Sequence, residues 1–227
     1  MGVQARAQAL FDRGEGTDRI AFFSDAVFAI ALTLLVLDIR LPEGLDDADV
    51  GGALLELLPQ FFAYALTFAV LGINWVSHHR KYRYIERFDT RFVWLNLVFL
   101  AVVALAPFPT SVLSEYATAA SVTLYAVQVA MLGIMQAVIW SYAHARGLMS
   151  PRIDDGVYRY SLAGTLVAPV IFLLTIPVAI FIDPVVAMWC WLSMVVVGPL
   201  VDLIAVRRID RRFPDAADAD AGAPDAG

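Results

Sequence analysis

The stretch RIAFFSDAVFAIALTLLVLDI, residues 19–39, decides the class of this chain. At 1.5 Å per residue it is long enough to cross a bilayer, and only Arg19, Asp25 and Asp38 in it are charged. A largely polar segment, 1–18, precedes it, and the acidic segment Glu43 to Asp49 follows in place of a small-residue cleavage site. It therefore reads as a retained span and not as a cleaved signal peptide. Working outward, further apolar runs lie at roughly 54–77, 91–113, 119–143, 160–182 and 185–206, which gives six spans in all. Hydrophobic residues are 60% of the 227 and charged residues 17%, too few charges to cover a soluble domain of this length. The expected fold class is an all-α integral membrane protein with six transmembrane helices. They occupy 19–209, between a short N-terminal segment, 1–18, and a tail, 210–227, whose run of Ala, Asp, Gly and Pro reads as disordered.

Local signals refine the spans. Glu56, Pro59 and Gln60 near the start of the second fit a helix that enters from the interface. Pro107 and Pro109 should kink or end the third, and Asp183 with Pro184 marks a tight turn between the fifth and sixth. The single cysteine, Cys190, excludes an intrachain disulfide and sits in an apolar run as a small packing residue.

Charge fixes the expected orientation. In a six-span arrangement every basic residue of the 16 except Arg40 falls on one side, in the N-terminus, the second loop, the fourth loop and the C-terminus. The positive-inside rule then puts both termini in the cytoplasm, and five or seven spans would scramble the partition. The basic set is arginine apart from Lys81. Arginines spread over alternate loops fit topology better than phosphate binding, so no nucleic-acid partner is expected; the lipid bilayer is the expected surrounding.

Polar residues within the spans each need a partner. The first helix carries Ser24 and Asp25, the latter about 9 Å beyond Arg19 along the axis. The matching end of the second offers Asn74, Trp75, His78 and His79, and the third offers Trp94 and Asn96. All lie at similar depth, and a buried network joining three helices follows. Zinc would want three or four ligands from a chain with 3 histidines, and no nucleophile elbow surrounds Ser24, so neither a metal nor a catalytic site is expected. A proton-coupled or small-solute transporter that uses Asp25 with His78 or His79 as a relay is the competing reading, without paired broken helices or an inverted repeat in its favour.

On a helical wheel, Ala26, Ile30, Thr33, Leu34 and Leu37 form one stripe of the first helix, with Asp25 roughly opposite. By periodicity alone that stripe reads as ordinary helix packing or lipid contact.

Arg19-x-x-x-Phe23-Ser24-Asp25 resembles the signature of the transmembrane protein 175 family of potassium channels. The segment NWVSHH at 74–79 and WLN followed by PFPT at 94–110 are also similar to its bacterial members. The motifs cover the first three helices; the rest matches only as spans of suitable number. The resemblance implies a prokaryotic single-repeat subunit in the cell membrane, assembled as a homotetramer with four first helices lining a pore for potassium ions, without enzymatic activity or cofactor. It places the narrowest constriction at Ile30, a selectivity layer at Thr33 and further apolar layers at Leu34 and Leu37. It also moves Asp25 from the pore into the scaffold. Asp38 and the acidic loop are left either to concentrate cations at the outer mouth or simply as a translocated segment poor in arginine.

Overall fold

The computed structural model describes residues 15–41, 44, 50–151 and 153–191, and these are helical almost throughout. In chain order the helices are α1 (Glu15–Leu34, extended by a 3-10 turn, Leu35–Asp38), α2 (Val50–Glu56), α3 (Leu58–Tyr82), α4 (Thr90–Leu105), α5 (Pro107–Glu115), α6 (Ala119–Ala145), α7 (Asp155–Phe181) and α8 (Pro184–Trp191). Five stretches are long and apolar enough to cross a membrane: Arg19–Asp38, Leu58–Tyr82, Thr90–Glu115, Ala119–Ala145 and Asp155–Phe181. The sixth expected span, 185–206, starts as α8 and continues beyond the described residues, as do the acidic loop, apart from Gly44, and the whole tail.

The second span is displaced from its expected place. It runs from Leu58 to Tyr82, not 54–77, because Pro59 starts a new helix after the short α2. At the other end the apolar face continues past His78, so the helix keeps winding through Lys81. The third span breaks at Ala106, between α4 and α5. Pro107 has no N–H for the Val103 carbonyl, and the Ala106 N–H takes that carbonyl instead at 3.1 Å.

Caps set the other boundaries. Asp89 accepts from the Phe92 N–H at 2.8 Å and starts α4. Thr118 and Ser121 form a reciprocal capping box at the head of α6, and Asp154 caps α7 through the Val157 N–H at 2.7 Å. The carboxylate of Asp183 accepts from Val185 and Val186, which makes the turn into α8. Gly147, at φ +62°, ends α6 in a left-handed turn that a side chain would resist. Leu148–Ser150 then lie against the loop after α3, where Glu86 donates to the Leu148 carbonyl at 3.0 Å and Ser150 to that of Tyr84 at 2.8 Å. Two arginine-bearing loops are thus tied together at one end of the bundle.

Packing is unequal. In their most apolar stretches 61% of α6 residues are buried against 22% of α1. α6 and α7 form the most extensive pair, with α4, α5 and α3 also against α6, and α1 rests on α3 and α4. Phe99, Val103, Val122, Tyr125, Val129 and Phe172 fill the middle. The α6–α7 approach depends on Gly133: a Cβ there would run into the Pro169 ring and lie 3.2 Å from the Thr165 carbonyl. That carbonyl has no helical donor, because Pro169 stands where its N–H would be.

Gly133→Ala is expected to lower the melting temperature in detergent, the signature of roughly 1–3 kcal/mol of overpacking. An unchanged melting temperature would show that the pair can spread at no cost. Partial burial pushes the Asp89 carboxyl up, but the Tyr142 hydroxyl at 2.6 Å, the Phe92 N–H and the nearby Arg146 and Arg91 together outweigh it. The group therefore titrates below the usual carboxylate range. Its stabilisation is complete above that range and is lost as pH falls through the folded value. Asp89→Ala should cost about 1 kcal/mol near neutrality through the lost cap, and should flatten the acid side of a melting-temperature profile.

Candidate functional site: the two faces of the first helix

One face of α1 is sealed. Ser24, Phe28, Ala31 and Leu35, spaced i, i+4, i+7 and i+11, are all buried against α3 and α4. Asn96 of α4 donates from Nδ2 to the Ser24 Oγ at 3.0 Å, while the Ser24 hydroxyl donates back to the Ile20 carbonyl at 2.8 Å. The Asn96 Oδ1 faces the His78 Nε2 of α3 at 3.3 Å, which makes Nε2 the protonated nitrogen in this arrangement. Stacked rings hold the imidazole, with Tyr82 at 4.0 Å and Phe99 at 5.4 Å, and Phe28 tilts against it at 5.8 Å. Three helices therefore meet at three buried polar side chains, each satisfied by the next.

Asp25 lies on the flank of this face, half-buried, and accepts from the Trp75 indole N–H at 2.8 Å. Among the described residues neither histidine hydrogen-bonds to Asp25, and Arg19 is exposed without an ion pair to it. Phe23 is exposed as well. Of the five residues expected in the network, His78, Asn96 and Trp75 reach α1 or its Ser24. Asn74 turns elsewhere: its carbonyl and side-chain oxygen accept from Gln136 of α6 at 2.8 and 3.2 Å. His79 is exposed, with its ring 5.7 Å from that of Trp75 and no side-chain hydrogen bond to another of the described residues.

The other face of α1 is bare. Ala26, Ile30, Thr33, Leu34 and Leu37 are all exposed in the single chain, Ile30 to 59%. The Thr33 hydroxyl folds back on the Ile30 carbonyl at 2.8 Å, so the stripe presents almost nothing polar. The wheel assumed α-helix to the end, but the 3-10 turn from Leu35 winds each residue further, about 60° in all by Leu37. Leu37 is still exposed, at 55%. Beyond it Asp38, Arg40, Gln60, Ser111, Ser114 and Glu115 line an open hollow of about 420 Å³. Arg40 is held there by its Nε on the Leu37 carbonyl at 2.8 Å.

Sequence reasoning missed one polar cluster. Lys81, counted as a loop charge, is buried on α3 and donates to Gln136 Oε1 at 3.1 Å and to Thr165 Oγ1 of α7 at 2.6 Å. The signal was there: one lysine among arginines, and lone polar residues at Gln136 and Thr165 in apolar helices. Among the described residues no group of three His, Cys, Asp or Glu side chains is placed to hold a metal ion.

Helical throughout most of its described residues, with five stretches fit to cross a membrane, the chain has the make-up of an integral membrane protein, its first helix pinned by polar contacts on one face and open on the other. A family model described as "Endosomal/lysosomal potassium channel TMEM175" matches residues 19–107. A potassium channel of Streptomyces collinus is 40% identical over 147 residues, which is 62% of this chain and 71% of that protein. A potassium channel of Chamaesiphon minutus is 44% identical over 102 residues, 44% of this chain and half of that protein (50%). The crystal structure of a lysosomal potassium-selective channel TMEM175 homolog from Chamaesiphon minutus superposes with a TM-score of 0.60 at 31% identity, over 79% of this chain and 98% of that one. The chain belongs to the TMEM175 family.

Asn96 is the hinge of the anchor, so Asn96→Leu should leave the His78 Nε2 without its acceptor and the Ser24 oxygen without its donor, Ser24 keeping only its bond to the Ile20 carbonyl. The expected loss is about 1–2 kcal/mol, read as a lower melting temperature in detergent. A loss as small as that of a lipid-facing change such as Val98→Leu would show that the network holds nothing.

Proposed function

We infer that this chain is a subunit of a potassium channel and that α1 lines its conduction path. The observation that carries the reading is the uncharged stripe of α1, left uncovered by the rest of its own chain while the opposite face is fully anchored. Lipid covers such a stripe as well as protein does, so its exposure in one chain leaves two readings, contact with lipid or a further helix, and a water-filled path between copies. Relatives named as potassium channels, and a similar solved potassium-selective channel, support the second.

In this reading four copies surround the path, with six spans each, termini in the cytoplasm and the assembly in a prokaryotic plasma membrane. Ile30 makes the narrowest ring, Thr33 the next layer, and Leu34 and Leu37 the outer apolar layers. A closed ring of isoleucines dewets and blocks ions; a slightly wider one passes partly hydrated ions. Potassium sheds water more easily than sodium, so a narrow apolar ring already favours it without binding it. Ser24 and Asp25, with Trp75, His78 and Asn96, hold the helix at its resting tilt, while Arg19 and Phe23 of the same motif stand exposed in the single chain. Asp38 and Glu115 at the opposite end supply negative charge to a cation entrance.

Ile30→Asn is expected to raise conductance several-fold and to move the reversal potential toward zero under a potassium–sodium gradient in liposomes. Current and reversal potential identical to those of the unsubstituted protein would remove Ile30 from the conduction path.

A further inference from the structure

Lys81 is a charged side chain placed among apolar helices, and the channel reading makes no use of it. Among the described residues no carboxylate lies within ion-pair distance of its amine. The group is instead satisfied by two neutral acceptors on two other helices, the Gln136 Oε1 and the Thr165 Oγ1, with the Trp140 ring 6.0 Å away. Such an arrangement is costly to keep, since burying an ammonium demands good partners. The cavity beside it, between Tyr82, Ile139 and Trp140, is about 10 Å³.

The position of Lys81 on α3 is informative. Gln136 accepts from Lys81 and donates to Asn74, so one side chain of α6 clamps two turns of α3 from the side. Between those clamped points His78 stands on the same side of α3, lining the small cavity with Lys81 and Gln136, and reaches the Asn96–Ser24 pair. Trp75, about 100° round the helix from Asn74, reaches Asp25. The close α6–α7 approach at Gly133 and Pro169 brings Thr165 to the same level and so completes the clamp.

We propose that Lys81 is a positioning residue: its amine locks α3 to the α6–α7 pair and thereby sets how α3 holds the first helix, and with it the open probability of the channel. The proposal rests on the reading of α1 as the pore helix for its effect on current, but its mechanical part does not. Among the described residues no hydrogen bond or ring contact joins Lys81 to α1, so its effect there passes through α3, whose Trp75 and His78 make the polar and ring contacts with α1 and its partner Asn96.

The test uses the full-length protein in nanodiscs and planar bilayers, with Lys81→Met, which keeps length and removes the donor, and Thr165→Val, which keeps the amine and removes one acceptor. Hydrogen–deuterium exchange of amides in 20–28 should become roughly tenfold faster in Lys81→Met, in line with the loss of a charged hydrogen bond, and a few-fold faster in Thr165→Val. Open probability should change several-fold in both, with the reversal potential unchanged. Unchanged exchange in 20–28, or faster exchange confined to α6 and α7, overturns the proposal; so does a shifted reversal potential, which would place Lys81 on the ion path. Should Lys81→Met not fold, the same readings on Thr165→Val decide. Absence of potassium current from the unsubstituted protein overturns the channel reading alone, and the exchange result still decides the mechanical claim.

Discussion

Inside a bilayer a polar side chain has no water to fall back on, and the placement of the first helix follows from that single constraint. Asn96 can satisfy both ends of its amide only by sitting between Ser24 and His78. Once it does, α1, α3 and α4 have fixed depth and fixed rotation relative to one another. Apolar burial does not compete with this, because lipid tails are as good a solvent for Phe28 or Leu35 as the protein interior is. The aromatic rings around His78 then add close packing and keep lipid and water from offering the imidazole another partner. Fixing one face of α1 in this way also fixes which residues are left on the other.

The rest of the bundle is organised so that this anchor has something rigid behind it. α6 runs through the centre with few uncovered residues, and α7 lies unusually close to it because Gly133 has no side chain to oppose the Pro169 ring. Burial falls from α6 at the centre to α1 and α7 at the outside, each of which keeps one uncovered side. Gln136 and Lys81 connect α3 to α6. A small rotation of α3 would be felt at both ends of that connection, at Thr165 on one side and at Ser24 on the other.

Much of this was legible residue by residue. The bilayer-length apolar runs, the breaks at Pro107 and Asp183, and the grouping of arginines into loops at one end all follow from composition along the chain. The stripe Ala26, Ile30, Thr33, Leu34 and Leu37 also came out as one face. The wheel of α3, by contrast, does not say which neighbour each of its sides will meet. Asn74, His78 and His79 look equivalent in sequence; the packing sends the first to α6, the second to α4 and leaves the third outside. The 3-10 turn after Leu34 and the later start of α3 were missed for a similar reason, since both depend on what the helix ends touch.

The sequence by itself determined that this is a helical membrane protein, where most of its spans lie, and that its first helix has a charged motif beside an uncharged stripe. These are properties of one segment in contact with lipid, and hydropathy and helical period suffice to read them. Only the tertiary structure decided which face of α1 is pinned and which is open, and which polar groups do the pinning. It also turned Lys81 from a presumed loop charge into a buried clamp. Partners in a low-dielectric interior are chosen by three-dimensional proximity within a few tenths of an ångström, and no one-dimensional pattern carries that distance.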